Sequence, residues 1–90
     1  MGLDAIIYAN GEEIFYFRKN YPLFVYVNNN CEYLPCSEAY FTYHTISLID
    51  VLNVAEKCLK VSDYHVPRLL KLAMYMESHR DKTYIIHQNW

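Results

Sequence analysis

The sequence predicts an α+β fold, with a small, mainly antiparallel three- or four-stranded sheet and two principal helices on one face. Three observations carry this prediction. Asn10-Gly11 stands between two apolar runs, which is the strongest short-range signal of a β-hairpin. Residues 48–59 carry apolar side chains at helical spacing, and residues 83–88 alternate like a closing strand. The predicted order is β-β-(short α)-β-α-α-β.

Length and composition limit the classes of protein that fit. The 90 residues, 53% of them apolar, suffice for a single domain, 1–90. A net charge of −2 argues against nucleic-acid binding, because such binding needs a basic surface. The longest apolar run, residues 22–27, is far short of the roughly 20 residues of a membrane span, so we expect no membrane insertion. An odd number of cysteines and no recognisable signal peptide predict a cytoplasmic protein with reduced thiols.

The opening hairpin is predicted from residues 4–9 and 13–18. Alternation along the second strand places Tyr16 and Arg18 on one face, with Phe15 and Phe17 on the other. We therefore expect one face to belong to the core and the other to be partly exposed to water.

Residues 20–30 leave two options open. Asn20 can cap a short helix that has Pro22 in its first turn, whereas residues 25–27, Val-Tyr-Val, favour a strand. We favour the helix. Three asparagines, residues 28–30, then indicate a loop that extends to about Pro35.

Residues 38–46 are predicted to form the third strand, with Tyr40, Thr42 and His44 on one face. Ser47 and Asp50 form a variant of the capping box and mark the start of a helix. The apolar stripe predicted for that helix comprises Leu48, Val51, Leu52, Ala55, Cys58 and Leu59.

The last helix is predicted to begin near Asp63 or Tyr64, to have Pro67 in its first turn, and to end near His79 or Arg80. Its apolar positions are wider than a single stripe: Val66, Leu69, Leu70, Leu72, Ala73, Met74 and Met76. We favour burial within the domain. The alternative is self-association through this helix, between Val66 and Arg80.

No metal site or cofactor is predicted. Cys31, Cys36, Cys58 and His65 have ligand chemistry suited to zinc, but only one cysteine pair is close in sequence and Cys58 lies on the apolar stripe.

No catalytic residue is predicted either. Nothing in the sequence places His44 or His87 beside Cys31 as the base that a cysteine nucleophile requires. Gly2 and Gly11 are the only glycines, which excludes glycine-rich phosphate loops and nucleophile elbows.

The candidate site is a partner-binding surface, because tyrosine and arginine are enriched at the energetic centres of protein interfaces. Tyr16, Arg18, Tyr40, His44 and His87 are expected to collect on one face of the sheet, with Lys19 beside them. Two alternatives remain: the tyrosines line a small core, or they stack on single-stranded RNA, against which the acidic charge argues.

The chain also resembles a family of small uncharacterised proteins found in phages and bacterial genomes. The matching pieces are Met1-Gly2-Leu3-Asp4, the segment ending Tyr16-Phe17-Arg18-Lys19, the pair Asn30-Cys31, and an aromatic strand that ends in Trp90. Family members often have a histidine six residues after the arginine, where this chain has Phe24. The resemblance implies a phage or prophage origin.

These observations together predict a small accessory protein that binds and inhibits a host protein, with anti-defence activity of the anti-CRISPR kind. The alternative is a small enzyme or nucleotide-binding protein that uses Asp4, Tyr16, Arg18, Lys19 and a histidine.

Overall fold

A computed structural model of the chain describes residues 4–35, 41–61 and 64–89. It confirms the α+β class, but within these residues the sheet has five strands and there are three helices. In chain order the elements are β1 (Asp4–Ala9), β2 (Glu12–Phe17), α1 (Tyr21–Asn30), β3 (Tyr33–Leu34), β4 (Phe41–Thr45), α2 (Leu48–Val61), α3 (Val66–Ser78) and β5 (Tyr84–Asn89).

The strands are arranged in the order β2-β1-β5-β4-β3, and every neighbouring pair is antiparallel. The last strand of the chain therefore lies in the middle of the sheet, between the opening hairpin and β4. The additional strand, β3, falls in the predicted loop. It has only two residues, Tyr33 and Leu34, which pair with His44 and Tyr43 of β4.

The predicted hairpin turn is confirmed. Asn10 and Gly11 have φ values of 50° and 87°, the left-handed conformations that such a turn requires. The Asn10 side chain also accepts a hydrogen bond from the Thr83 backbone N–H at 2.8 Å, and the Asn10 N–H donates to the Thr83 carbonyl at 2.9 Å. The turn is thereby fixed to the start of β5.

All three helices cover the same face of the sheet. Residues buried on that face alternate along the strands, as at Ala5, Ile7 and Ala9 of β1, and they form one core cluster with the buried side chains of the helices. The helical members are Leu23, Tyr26, Val27, Val51, Val54, Ala55, Cys58, Val66, Leu69, Leu72, Ala73 and Met76. Within residues 4–35, 41–61 and 64–89, no helix covers the opposite face.

The start of α1 confirms the helical option for residues 20–30. The Asn20 side chain accepts a hydrogen bond from the Leu23 N–H at 3.2 Å, and Pro22 lies in the first turn. The capping box before α2 is also confirmed, because the Ser47 N–H donates to Asp50 Oδ2 at 2.9 Å and the Asp50 N–H donates to Ser47 Oγ at 3.4 Å.

The stripe predicted for α2 is wrong in part. Val51, Ala55 and Cys58 are buried as expected, but Leu52 and Leu59 are exposed. Val54 is buried although it was not part of the stripe. The buried side of the helix is therefore rotated, because it faces both the sheet and α3. No helix in the described ranges is long and apolar enough to span a membrane.

Most of the wide apolar surface of α3 is buried within the domain. Leu70 and Met74 are the apolar residues of this helix that remain largely exposed.

Candidate protein-binding surface

A row of side chains crosses the face of the sheet that no helix of the described residues covers. The strand register places Tyr16 of β2 opposite Ile6 of β1, Ile6 opposite His87 of β5, and His87 opposite Tyr43 of β4. Residues that are directly opposite one another share a face of the sheet. We call these four residues the aromatic row. A neighbouring row on the same face contains Tyr8, Ile85 and Thr45.

The aromatic row is accessible to solvent, and two of its rings stack on each other. The Tyr16 side chain is 41% exposed, and Ile6, Tyr43 and His87 are half-buried. The rings of Tyr43 and His87 stack with their centroids 4.4 Å apart and an interplanar angle of 9°. Because these rings already pack against each other, a partner that covers them restricts little additional side-chain motion.

Two exposed cations follow Tyr16 at the end of β2. Arg18 and Lys19 lie just beyond the last residue of the strand, and Lys19 has the left-handed φ of 54°. The His65 ring hydrogen-bonds to the Lys19 backbone; burial lowers the pKa of His65 and this bond partly opposes the change. The structure therefore fixes the backbone that carries the two cations beside the aromatic row.

Asp4 acts on the Tyr16 phenol. The hydrogen bond between Tyr16 and the Asp4 carboxylate raises the pKa of Tyr16, with smaller contributions from desolvation and from the carboxylate charge, while Arg18 opposes the shift. Tyr16 is consequently a neutral hydrogen-bonding group at physiological pH. Asp4, Tyr16 and Arg18 are thus brought together, as the sequence led us to expect.

Tyr16, Arg18 and Lys19, at the end of β2, form what we call the β2 corner. The sequence did not predict that α3 contributes to it. The Arg68 guanidinium donates to the Tyr16 carbonyl at 2.6 Å and lies 5.6 Å from the ring centroids of both Phe15 and Phe17. Arg68 thus covers the outer edge of β2. Tyr16 and Arg68 are 52 positions apart, and no local pattern links residues so distant in sequence.

A cavity of about 260 Å³ lies between β2 and the start of α3. It is lined by Tyr16, Phe17, Arg18, Tyr64, His65 and Arg68. The sequence suggested His65 only as a zinc ligand. The alternative enzyme or nucleotide-binding site, however, requires a histidine beside Tyr16 and Arg18, and His65 is the histidine that lines this cavity with them.

The expected position of His44 is wrong. His44 is only 4% exposed and lies on the helix-covered face, where its Nδ1 is 3.2 Å from the carbonyl oxygen of Cys31. Alternation along β4 was read correctly, but it does not specify which of the two faces is buried. Tyr43 takes the place on the open face that was expected for His44. Tyr40 lies outside the described residues.

The environment of Cys31 disfavours a thiolate. Desolvation by burial, followed by the charge of Asp50 and a hydrogen bond to it, raises the pKa of Cys31 to about 12. The thiol is therefore protonated at neutral pH, the opposite of what a nucleophile needs. No group of three histidine, cysteine, aspartate or glutamate residues in the described part of the chain is arranged to hold a metal ion.

Comparison of the chain with protein-family models, curated proteins and solved structures found no match.

Proposed function

We propose that this chain is a small phage-type accessory protein that binds and inhibits a host protein. The target class is a component of a bacterial defence system such as CRISPR-Cas, and the site of action is the host cytoplasm. The observation that supports binding is the aromatic row of Tyr16, Ile6, His87 and Tyr43 on the uncovered sheet face.

This surface is rigid and presents a large area of aromatic rings. Four hydrogen-bonded strands hold the row in place, so its side chains need little reorganisation on binding. Tyrosine combines a large contact area with a hydroxyl that hydrogen-bonds at the edge of an interface. Arg18 and Lys19 lie beside the row and favour a partner with acidic groups next to an apolar patch.

The phage origin and the anti-defence role rest on a different observation. They follow from the resemblance carried by Met1-Gly2-Leu3-Asp4 and Tyr16-Phe17-Arg18-Lys19. Binding through the sheet and action against a defence system are therefore tested separately.

Quantitative capture of proteins from bacterial lysates by the tagged chain tests the binding surface. Tyr16→Ala and Arg18→Ala should each reduce capture of the specific partner at least about tenfold, as expected for the tyrosine and arginine side chains that dominate the binding energy of interfaces. The Tyr16 substitution preserves the hydrogen bond from Arg68, because the acceptor is the backbone carbonyl.

Tyr21→Ala and Lys71→Ala are matched controls, since both residues are exposed and lie on helices. The controls should capture the partner normally. Equal capture by folded Tyr16→Ala and Arg18→Ala proteins would rule out this surface as the contact.

The anti-defence role is tested by plaque formation on a host whose CRISPR-Cas system targets the infecting phage. Expression of the wild-type chain should restore plaques, and the Tyr43→Lys variant should not, because it places a charge within the aromatic row. Plaque counts unchanged by the wild-type chain would reject this role even if a host protein is captured.

The cavity at the β2 corner favours a second function, binding of a small anionic ligand such as a nucleotide. Tyr16, Arg18, His65 and Arg68 line it together, and Asp4 and Lys19 are close by in the fold. A ligand that binds only the folded state raises the melting temperature. A thermal-shift screen with nucleotides tests this function, and it is rejected if none stabilises the chain more than inorganic phosphate does.

A further inference from the structure

A larger cavity, of about 610 Å³, lies at the other end of α3. It is formed by the end of β4, the first turns of α2, the last turn of α3 and the start of β5. This volume falls in the range of roughly 300–1,000 Å³ that is usual for small-molecule sites. Among the described residues, this cavity shares no lining residue with the cavity beside Tyr16.

The inner surface of this cavity is mainly apolar. Ile46, Met76 and Tyr84 form its buried part. Ile49 and Leu52, which project from α2, are 61% and 41% exposed. Exposing aliphatic side chains at the mouth of a cavity costs free energy that an apolar ligand recovers by covering them.

The charged residues that line the cavity, within the part of the chain that the structure describes, all have the same sign. Arg80 and Lys82 lie on the segment between α3 and β5, and no carboxylate is among the described lining residues. Lys82 Nζ is 3.2 Å from the Tyr75 hydroxyl, a contact that raises the pKa of Lys82 and keeps it charged. Ser47 and Thr83 add hydroxyl groups.

Arg80 is available for a ligand. It pairs with Glu77 at 2.7 Å, but both side chains are highly exposed, and ion pairs in water contribute little to stability. A ligand carboxylate beside Lys82 and the cavity wall can therefore compete for the guanidinium.

We propose that this cavity binds an anionic amphiphile, a single carboxylate attached to an unbranched apolar chain such as that of decanoate. The carboxylate contacts Arg80 and Lys82, and the chain lies along Ile49, Leu52 and Met76. Charge complementarity selects an anion, and the apolar wall selects the chain. The volume suits a small molecule, because a protein partner typically needs about 800 Å² of surface on each side. This site is independent of the proposed function.

Calorimetric titration of the full chain with sodium decanoate, below its micelle concentration, tests the proposal. Decanoate should bind at least about tenfold more tightly than decanol, which lacks the charge, than acetate, which lacks the chain, and than decyltrimethylammonium, which has the opposite charge. Equal affinity for decanol or decyltrimethylammonium overturns the proposal, as does the absence of decanoate binding at millimolar concentrations.

Matched variants locate the site. The double variant Arg80→Gln/Lys82→Gln and the single variant Leu52→Glu should each weaken decanoate binding at least about tenfold. Lys60→Gln and Leu59→Glu change similar exposed residues on α2 outside the cavity and should bind normally. Ile49→Glu replaces Leu52→Glu if circular dichroism shows that the latter is unfolded. Equal loss in the controls, or binding of an acidic apolar peptide without decanoate binding, overturns the proposal.

Discussion

At the scale of single residues, Arg68 connects α3 to the edge of the sheet. Its guanidinium donates to the Tyr16 carbonyl and lies against Phe15 and Phe17, so it satisfies a backbone group on an edge strand and also covers two rings. No role was assigned to Arg68 from the sequence. A contact between residues so far apart along the chain leaves no periodic trace, and for that reason only the folded structure reveals it.

Replacing Arg68 by alanine should lower the free energy of unfolding by about 1–2 kcal/mol, because the hydrogen bond and the ring contacts are both lost. Arg68→Lys should restore only part of the lost free energy of unfolding, since an ammonium group is not planar and does not stack on rings as a guanidinium does. Urea unfolding measures both values, with Lys71→Ala as the exposed control on the same helix. Full stability in Arg68→Ala would show that the contact contributes nothing.

Cys31 gives a prediction about pH. Its pKa in the folded state, about 12, is above the ordinary value of 9.0, so the folded state binds the thiol proton more tightly than the unfolded state does. The resulting stabilisation is complete below pH 9 and is lost as the pH rises towards 12. At pH 8 iodoacetamide should alkylate native Cys31 at least about a hundredfold more slowly than Cys31 in urea, as followed by peptide mass spectrometry. Similar alkylation rates in the native protein and in urea would show that the fold does not raise the pKa of Cys31.

At the scale of secondary structure, Asp50 joins the start of α2 to α1. Its carboxylate accepts hydrogen bonds from the Tyr26 hydroxyl at 2.9 Å, from the Ser47 N–H at 2.9 Å and from the Ser47 hydroxyl at 2.8 Å. The spacing of Ser47 and Asp50 predicted the local part of this network correctly. The link to Tyr26, which also accepts from Asn53, depends on helix packing and was not predictable.

Asp50→Ala should destabilise the fold by about 2 kcal/mol, and Ser47→Ala by about 1 kcal/mol, because Asp50 has the additional partner on α1. Thermal and urea unfolding provide the values. Glu56→Ala, on the exposed side of the same helix, should change stability by less than about 0.5 kcal/mol. Equal losses for Asp50→Ala and Ser47→Ala would mean that the bond from Tyr26 is energetically neutral.

The elements that the sequence predicted best are those with local signals. Asn10-Gly11 identified the hairpin, Asn20 with Pro22 identified α1, and Ser47 with Asp50 identified α2. Strand β3 was missed because two residues carry no periodicity, and it exists only through pairing with β4. Similarly, alternation in β4 was compatible with either face, and His44 was placed on the wrong one.

At the scale of the whole molecule, the fold separates two kinds of surface. One face of the sheet packs against three helices, and the other presents the aromatic row with the cations of the β2 corner beside it. The candidate site was predictable in its residue types and in the position of Tyr16, Arg18 and Lys19. Its continuation through His87 and Tyr43 depends on β5 lying between β1 and β4, which the order of elements along the chain does not dictate.

Self-association through α3 is the alternative prediction. In the structure, α3 leaves only a small apolar area exposed for such a contact. A second copy could contact Leu70 and Met74, the latter 69% exposed, and two such side chains offer much less than the roughly 800 Å² per partner of a stable interface. We expect a monomer in sedimentation velocity across a wide concentration range, with no change in Met74→Lys. A dimer that Met74→Lys dissociates would contradict this expectation.

The central claim is that a host protein docks on the aromatic row. Hydroxyl-radical footprinting of the captured complex, compared with the chain alone, tests it most directly. The account predicts strong protection of Tyr16, Tyr43 and His87 and unchanged labelling of Tyr21 and Met74. Protection of Met74 with Tyr16 and Tyr43 labelled as in the free chain would contradict it and would assign the contact to α3.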